Sequence, residues 1–276
     1  MNVKFSKMNG LGNDFMVIDG ISQSLHLTPE QIRQWADRHF GVGFDQLLLV
    51  EAADSDQAQF KYRIFNADGG EVSQCGNGAR CFARFVREHG LTDKTTIAVE
   101  TRNGLLQLTM LDEQRVQVDM GVPVFDPVQI PFIADEPETV YQLKLNGELV
   151  VFSAVSMGNP HAVIIVDDVD RVDLESLGKS LQAHVAFPQS VNVGVMQVIN
   201  NQHFKLRVYE RGAGETLACG SGACAAMAAG RVLDIMDTHA TATLRGGELQ
   251  LDWQGEGKPV MMTGSTEMVY EGEIKL

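Results

Sequence analysis

An internal repeat constrains this chain more than any other feature. Cys75-Gly76-Asn77-Gly78-Ala79-Arg80-Cys81 has an echo in Cys219-Gly220-Ser221-Gly222-Ala223-Cys224. Each stretch opens with a cysteine, follows it with two glycines flanking a small polar residue, and runs into a helical pattern. The surroundings repeat as well. Gly158-Asn159-Pro160-His161 before Ala162–Val166 matches Gly12-Asn13-Asp14-Phe15 before Met16–Ile18, at an offset of 159 − 13 = 146. Gln46 falls on Asn192 at the same offset. Asn66 lies nine residues before Cys75, and Glu210 nine before Cys219. Arg102-Asn103-Gly104 maps onto Arg245-Gly246-Gly247, and Gly121 onto Gly264, at 245 − 102 = 143. The matched positions are polar residues and glycines, which apolar periodicity alone does not generate. Two domains of one duplicated fold, meeting near Gly121 and related by a pseudo-twofold, are therefore expected.

Each half reads as a mixture of strands and few helices. Val3–Met8 and Phe15–Ile18 are strand patterns around a glycine-rich turn. Thr28-Pro29-Glu30-Gln31 is a helix start with a capping box, and Ile32, Trp35, Ala36 and His39 continue it at helical spacing to Gly41. Asp45–Val50, Phe60–Phe65, Thr96–Glu100, Leu105–Leu111 and Arg115–Met120 read as strands, with Asn103-Gly104 as a hairpin signal. Leu174, Leu177 and Leu181 mark the counterpart of the first helix. The second cysteine helix, Ala223–Gly230, is apolar all round and built of small residues, so it is expected to be buried on every side. A curved mixed or antiparallel sheet wrapped around a central helix suits such a segment, giving an α/β (α+β) class.

With a net charge of −14, neither nucleic acid nor an anionic membrane surface is an expected partner. No apolar run approaches membrane-spanning length and Met1–Lys7 is not a signal segment, so a cytoplasmic compartment is expected. There the four cysteines stay reduced, and their spacing is not that of a zinc site. Gly10-Leu11-Gly12-Asn13-Asp14 lacks the third glycine and following helix of a dinucleotide fingerprint, and no cofactor is expected.

The chemistry follows from the repeat. A Gly-x-Gly helix start leaves backbone N–H groups open to an anion, and the helix dipole favours a thiolate at its N-terminus. Matched residues of a duplicated fold would place Cys75 and Cys219 on opposite sides of a cleft. A carbon between two thiols can lose its proton to one and regain one from the other, which is stereoinversion. The α-hydrogen of an amino acid is a weak acid, so the site must stabilise the charge that develops on the α-carboxylate; two helix N-termini suit that task.

The long motifs Met8–Phe15, Gln74–Cys81, Gly158–His161 and Glu210-Arg211-Gly212-Ala213-Gly214-Glu215-Thr216 running into Ala218–Gly222 resemble those of bacterial diaminopimelate epimerases over essentially the whole chain. The resemblance implies a cofactor-independent isomerase that interconverts L,L- and meso-diaminopimelate by a two-base thiolate/thiol mechanism, in lysine and peptidoglycan precursor biosynthesis. It implies two similar α/β domains with the tail returning to the first: 1–121 plus 265–276 carrying Cys75, and 122–264 carrying Cys219. Carried onto this sequence, the bases are Cys75 and Cys219, and Gly76, Asn77, Gly220 and Ser221 cradle the carboxylate. Asn13, Gln46, Asn66, Asn159, Asn192, Glu210 and Arg211 complete the substrate set, His161 and Glu210 modulate the thiol pKa values, and Tyr270 belongs to a homodimer interface. The residues themselves agree with a substrate bearing a second amino-acid head group: Arg211 suits a distal carboxylate and Glu210 an ammonium. The alternative is another two-cysteine racemase of this fold, acting on proline or hydroxyproline, whose substrates lack that head group. Cys81 and Cys224 read as structural. Glu71 and Glu215 read as complements to the helix N-termini, and Arg80, Arg84 and Arg87 as a solvated or salt-bridged face.

Overall fold

Alternating and continuous apolar runs make strands the dominant element. The computed structural model describes residues 2–72 and 75–276; Gln74, which opens one motif of the resemblance, lies outside them. In chain order the elements are β1 (Asn2–Gly10), β2 (Asn13–Asp19), α1 (Pro29–Ala36), β3 (Gln46–Ala52), β4 (Phe60–Asn66), β5 (Glu71–Val72), α2 (Gly76–Glu88), β6 (Thr96–Thr101), β7 (Gly104–Met110) and β8 (Arg115–Asp119). Then follow β9 (Tyr141–Leu145), β10 (Glu148–Ser156), β11 (Pro160–Ile165), α3 (Leu174–Gln182), β12 (Asn192–Asn200), β13 (His203–Glu210), β14 (Gly214–Thr216), α4 (Gly220–Val232), β15 (His239–Leu244), β16 (Gly247–Asp252), β17 (Met261–Ser265) and β18 (Glu267–Lys275). The chain forms two compact units, Met1–Asp119 with Thr263–Leu276, and Met120–Met262.

In the first unit β18 pairs antiparallel with β1, β1 with β2, β3 with β4 and β6 with β7, while β2–β3 and β4–β6 are parallel. The run Leu47–Val50 is buried throughout because both faces of its strand are covered. Leu47 and Leu49 join Val3, Met16, Ile18, Ile32 and Trp35 under α1. Alternation turns Leu48 the other way, towards α2, which packs against β1–β4, β7 and β8. Phe82 and Phe85 are both essentially inaccessible on α2, each contributing about 1.5–3 kcal/mol of burial.

The second unit repeats these pairings: β10–β11, β12–β13, β13–β14 and β15–β16 are antiparallel, β11–β12 and β13–β15 parallel. Even the registers correspond. Phe15 faces Gln46 in β2–β3, and His161 faces Asn192 in β11–β12, with 161 − 15 and 192 − 46 both 146. Ile64 faces Val72, and Val208 faces Thr216, with both offsets 144. The central helix α4 packs on β10–β13 and β16, and Ala223–Gly230 is buried throughout. Alanines let the sheet approach the helix closely on every side.

Three local features depart from the sequence reading or were absent from it. Helix α1 stops at Ala36, short of His39, because the Asp37 carboxylate accepts the His39 and Phe40 N–H groups at 2.7 and 2.8 Å and turns the chain. Asn146-Gly147, with φ of 52° and 92°, joins β9 to β10 as a two-residue hairpin, a signal the sequence displays. Arg80 is fully buried instead of solvated, its Nη2 donating to Asn77 Oδ1 at 3.0 Å and its Nη1 to Gly76 O at 3.4 Å. Arg84 does pair with Glu88, at 2.6 Å, and Arg87 donates to Thr92 O at 3.3 Å.

Candidate active site

In both units the cysteine is the residue just before a helix, with extended backbone and the first turn Gly-x-Gly. Cys75 has φ −147° and ψ 119°, Cys219 φ −116° and ψ 104°. The first helical hydrogen bonds are Ala79 N to Cys75 O at 2.8 Å and Ala223 N to Cys219 O at 3.0 Å, so the amides before them stand ahead of the helical ladder. Glycine is required for space at Gly78. A Cβ there would stand 2.5 Å from the Tyr62 hydroxyl, which donates to Cys75 O at 3.4 Å.

In the first unit Asn13, at the start of β2, brings Oδ1 to 3.6 Å from Cys75 Sγ. Its Nδ2 donates to Asp45 Oδ2 at 2.9 Å, so the carboxylate settles which end of the amide faces the sulfur. Facing an acceptor, the Cys75 sulfur donates, as a thiol. Asp45 and Asp14 share the Arg38 guanidinium, and Lys7 bonds Asp14 at 2.5 Å. Burial would raise the Asp14 carboxyl, but hydrogen bonds from Arg38 and Lys7 outweigh it and hold the group well below the usual carboxylate range. Gln46, at the start of β3, faces Asn66, at the end of β4, and donates to its Oδ1 at 2.9 Å. Among the described residues Gln46 Oε1 is buried without a hydrogen-bond partner. Cys81, one turn into α2, is pushed up to about 12 by burial and stays a structural thiol.

The second unit gathers Cys219, Ser221, Asn159, His161 and Glu210 into one network. His161 Nε2 lies 3.0 Å from Asn159 Oδ1 and 3.1 Å from Ser221 Oγ, and Asn159 Nδ2 donates to that oxygen at 3.4 Å. Burial, then the Arg211 charge, push the imidazole down to about 3, so His161 is neutral; an acceptor facing Nε2 calls for the Nε2–H tautomer. Ser221 Oγ stands 3.7 Å from Cys219 Sγ. The Cys219 thiol is raised well above its ordinary value by burial first, then by the Glu210 charge and hydrogen bond, with the Gly222 N–H and Ser221 opposing. Asn192 accepts the Arg211 N–H at 2.9 Å and donates to Pro160 O at 3.1 Å, while Arg211 Nη1 donates to Gln189 O at 2.8 Å.

Tyr270 is not part of either cluster: it lies on β18 opposite Lys7, 45% exposed, with its ring edge on Phe5. Glu71 and Glu215 are ion-pair partners of strand arginines, in place of the helix-terminus role read from their spacing. Arg63 Nε holds Glu71 at 2.9 Å, and Arg207 Nε holds Glu215 at 2.8 Å, each in two-pronged fashion. These brackets tie β5 and β14 to the strands beside them just before each cysteine. Sequence reasoning passed over Arg63 and Arg207, although they sit at matched places in the repeat. It also passed over Thr216, whose hydroxyl donates to Glu210 Oε1 at 2.5 Å. Among the described residues no group of three or more His, Cys, Asp or Glu side chains could hold a metal ion, no disulfide joins the four cysteines, and no helix is long and apolar enough to cross a membrane.

The family model for diaminopimelate epimerase matches residues 5–125 and 153–269. A diaminopimelate epimerase of Nitrosomonas europaea is 56% identical over 276 residues, and one of Teredinibacter turnerae 54%, each match covering 100% of both chains. Among solved structures, a hydroxyproline epimerase from Agrobacterium vitis with bound trans-4-hydroxy-L-proline superposes with a TM-score of 0.71 at 14% identity, covering 99% of this chain and 92% of that one, a likeness of fold alone. By this match in sequence along its full length, the chain belongs to the diaminopimelate epimerase family of isomerases.

Proposed function

We propose that this isomerase interconverts L,L- and meso-diaminopimelate by inverting one α-carbon, with Cys75 and Cys219 as its two proton carriers. One sulfur, as thiolate, takes the α-proton. The electron pair left on carbon spreads into the α-carboxylate, and the thiol of the other cysteine returns a proton to the opposite face. Which cysteine is the base depends on the direction of reaction. The observation that carries the reading is that each unit sets a cysteine immediately before a Gly-x-Gly helix start, with Asn13 Oδ1 3.6 Å from Cys75 Sγ and Ser221 Oγ 3.7 Å from Cys219 Sγ. Glu210 can receive the thiol's proton during turnover and return it, while its negative charge keeps the resting sulfur a thiol. The amides of Gly76, Asn77, Gly220 and Ser221 are the donors for the charge developing on the carboxylate. Gln46 Oε1, without a partner among the described residues, suits an ammonium hydrogen, the side-chain amides of Asn13, Asn66, Asn159 and Asn192 complete the substrate set, and Arg211 suits the distal carboxylate. No bound cofactor enters any of these steps.

Incubating the L,L isomer in deuterated buffer should form the meso isomer with deuterium on the inverted carbon. Cys75→Ser or Cys219→Ser should lower turnover by orders of magnitude with the thermal midpoint nearly unchanged. Near-full epimerisation by either variant would end the two-base scheme, and faster turnover on proline would transfer the assignment to a racemase. The same reading makes the protein a cytoplasmic homodimer using Tyr270, and supplies the precursor of lysine and peptidoglycan. Its four cysteines, joined by no disulfide, suit a reducing compartment.

A further inference from the structure

The two units differ in what stands beside their cysteines, and the difference is paired. The place taken by Asn66 at the end of β4 is taken by Glu210 at the end of β13. Val72 in β5 is replaced, at the same register, by Thr216 in β14. Where the carboxylate is present, so is a hydroxyl that donates to its Oε1 at 2.5 Å. Where the amide Asn66 is present, its Oδ1 is occupied by Gln46 instead, and the strand residue is aliphatic. Strand β14 is itself held: Glu215, beside Thr216, is gripped by Arg207 and reached by Arg245 Nη1 at 2.9 Å.

We infer that Thr216 is a positioning residue that clamps the Glu210 carboxylate against the Cys219 thiol. A carboxylate on a Glu side chain has three rotatable bonds, and it exchanges a proton with a sulfur only from a narrow set of orientations. The Thr216 hydroxyl bond fixes one oxygen and thereby the plane of the group. The Arg207–Glu215 bracket keeps the hydroxyl in place. Thr216 touches neither reacting atom; it acts through Glu210. This inference rests on the reading of Cys219 as a proton carrier, but its central test measures the thiol without substrate.

Thr216→Val removes the hydroxyl and keeps the shape, and Val72 at the equivalent register of β5 shows that this strand geometry accepts valine. The test is the rate of iodoacetamide labelling of Cys219 at fixed neutral pH, followed on the Cys219 peptide by mass spectrometry, together with turnover. With the clamp gone, the carboxylate swings away from the sulfur, thiolate forms more readily, and labelling accelerates. Turnover falls by about tenfold, the size expected for losing a hydrogen bond to a charged group. A more reactive thiol in a slower enzyme is the expected signature. In a Glu210→Gln background, Thr216→Val should add nothing to the labelling rate, because the group it positions has lost its charge. Thr216→Ser should restore both labelling and turnover towards the starting protein. Unchanged labelling in Thr216→Val, an equal acceleration in the Glu210→Gln background, or a Thr216→Ser variant that behaves like the valine would each overturn the inference. If the clamp behaves as expected in labelling while no variant epimerises diaminopimelate, the failure lies with the assigned substrate and not with Thr216.

Discussion

Gly78→Ala tests how closely the first cysteine helix is packed. The added Cβ would stand 2.5 Å from the Tyr62 hydroxyl and 3.2 Å from both Leu48 Cδ2 and Phe15 Cε1. Tyr62 is only 2% exposed and lies against Phe82 with ring centroids 5.0 Å apart, so its ring cannot swing aside. The helix or the ring must shift by about 1 Å, since ordinary van der Waals contact begins near 3.5 Å. Overpacking of this kind costs about 1–3 kcal/mol. Displacing the tyrosine also removes its bond to Cys75 O, worth about 1 kcal/mol. Alanine in place of glycine returns about 1 kcal/mol of helix propensity. The net is about 1–3 kcal/mol of destabilisation, a drop in thermal midpoint on the order of 5 °C. The decisive control is Tyr62→Phe. It removes the one atom in severe overlap and leaves contacts at 3.2 Å, which small movements relieve. Gly78→Ala should therefore cost at least about 1 kcal/mol less in the Tyr62→Phe background, measured as a double-mutant cycle by thermal melting. Strict additivity of the two changes would refute the steric account.

Other consequences concern protonation and assembly. Burial holds His161 down at about 3, so its ring proton resonances should not titrate between about pH 5 and 8 in the folded protein, as followed by NMR. Because its folded value is depressed below the unfolded 6.5, the unfolded chain binds the proton first, and stability is lost as pH falls below 6.5 towards 3. His161→Gln should weaken that loss in acid melts. Glu215 is lowered from 4.5, chiefly by its bond from Arg207, so the pair stabilises above 4.5 and the benefit disappears as pH falls through the lower folded value. Glu215→Gln should accordingly melt earlier than the starting protein at pH 7, with the difference shrinking as pH falls below 4.5. Tyr270→Ala, at an exposed site on β18, should shift sedimentation from dimer towards monomer if the proposed homodimer uses that residue.

Much of the fold was legible because it is written twice. The offset of 146 read between Asn13 and Asn159 reappears as strand register, Phe15 on Gln46 against His161 on Asn192. The capping box at Thr28 and the alanine helix after Cys219 form where spacing and composition put them, since both are local effects of side chains on their own backbone. Asn146-Gly147 was as plain a signal as Asn103-Gly104, but it lies outside the repeat that guided the reading. Arg80 departs from its local sequence signal for a related reason. Its neighbours in sequence, Arg84 and Arg87, suggested a polar face, whereas the sheet wraps α2 so fully that this arginine turns onto the helix start, to Gly76 O and Asn77.

Residue order alone specifies two equivalent cysteine helix starts and the polar residues that recur around them. How those groups are charged and held depends on the folded packing around them. The rise of the Cys219 thiol and the fall of the His161 imidazole come first from desolvation, a sum over every strand and helix packed around the group. No residue spacing encodes that sum. The Thr216 hydroxyl meets Glu210 because an antiparallel turn folds β14 back on β13, and Arg207 reaches Glu215 across the same pair of strands. Contacts across a sheet depend on register and side-chain direction, which exist only once the strands are paired.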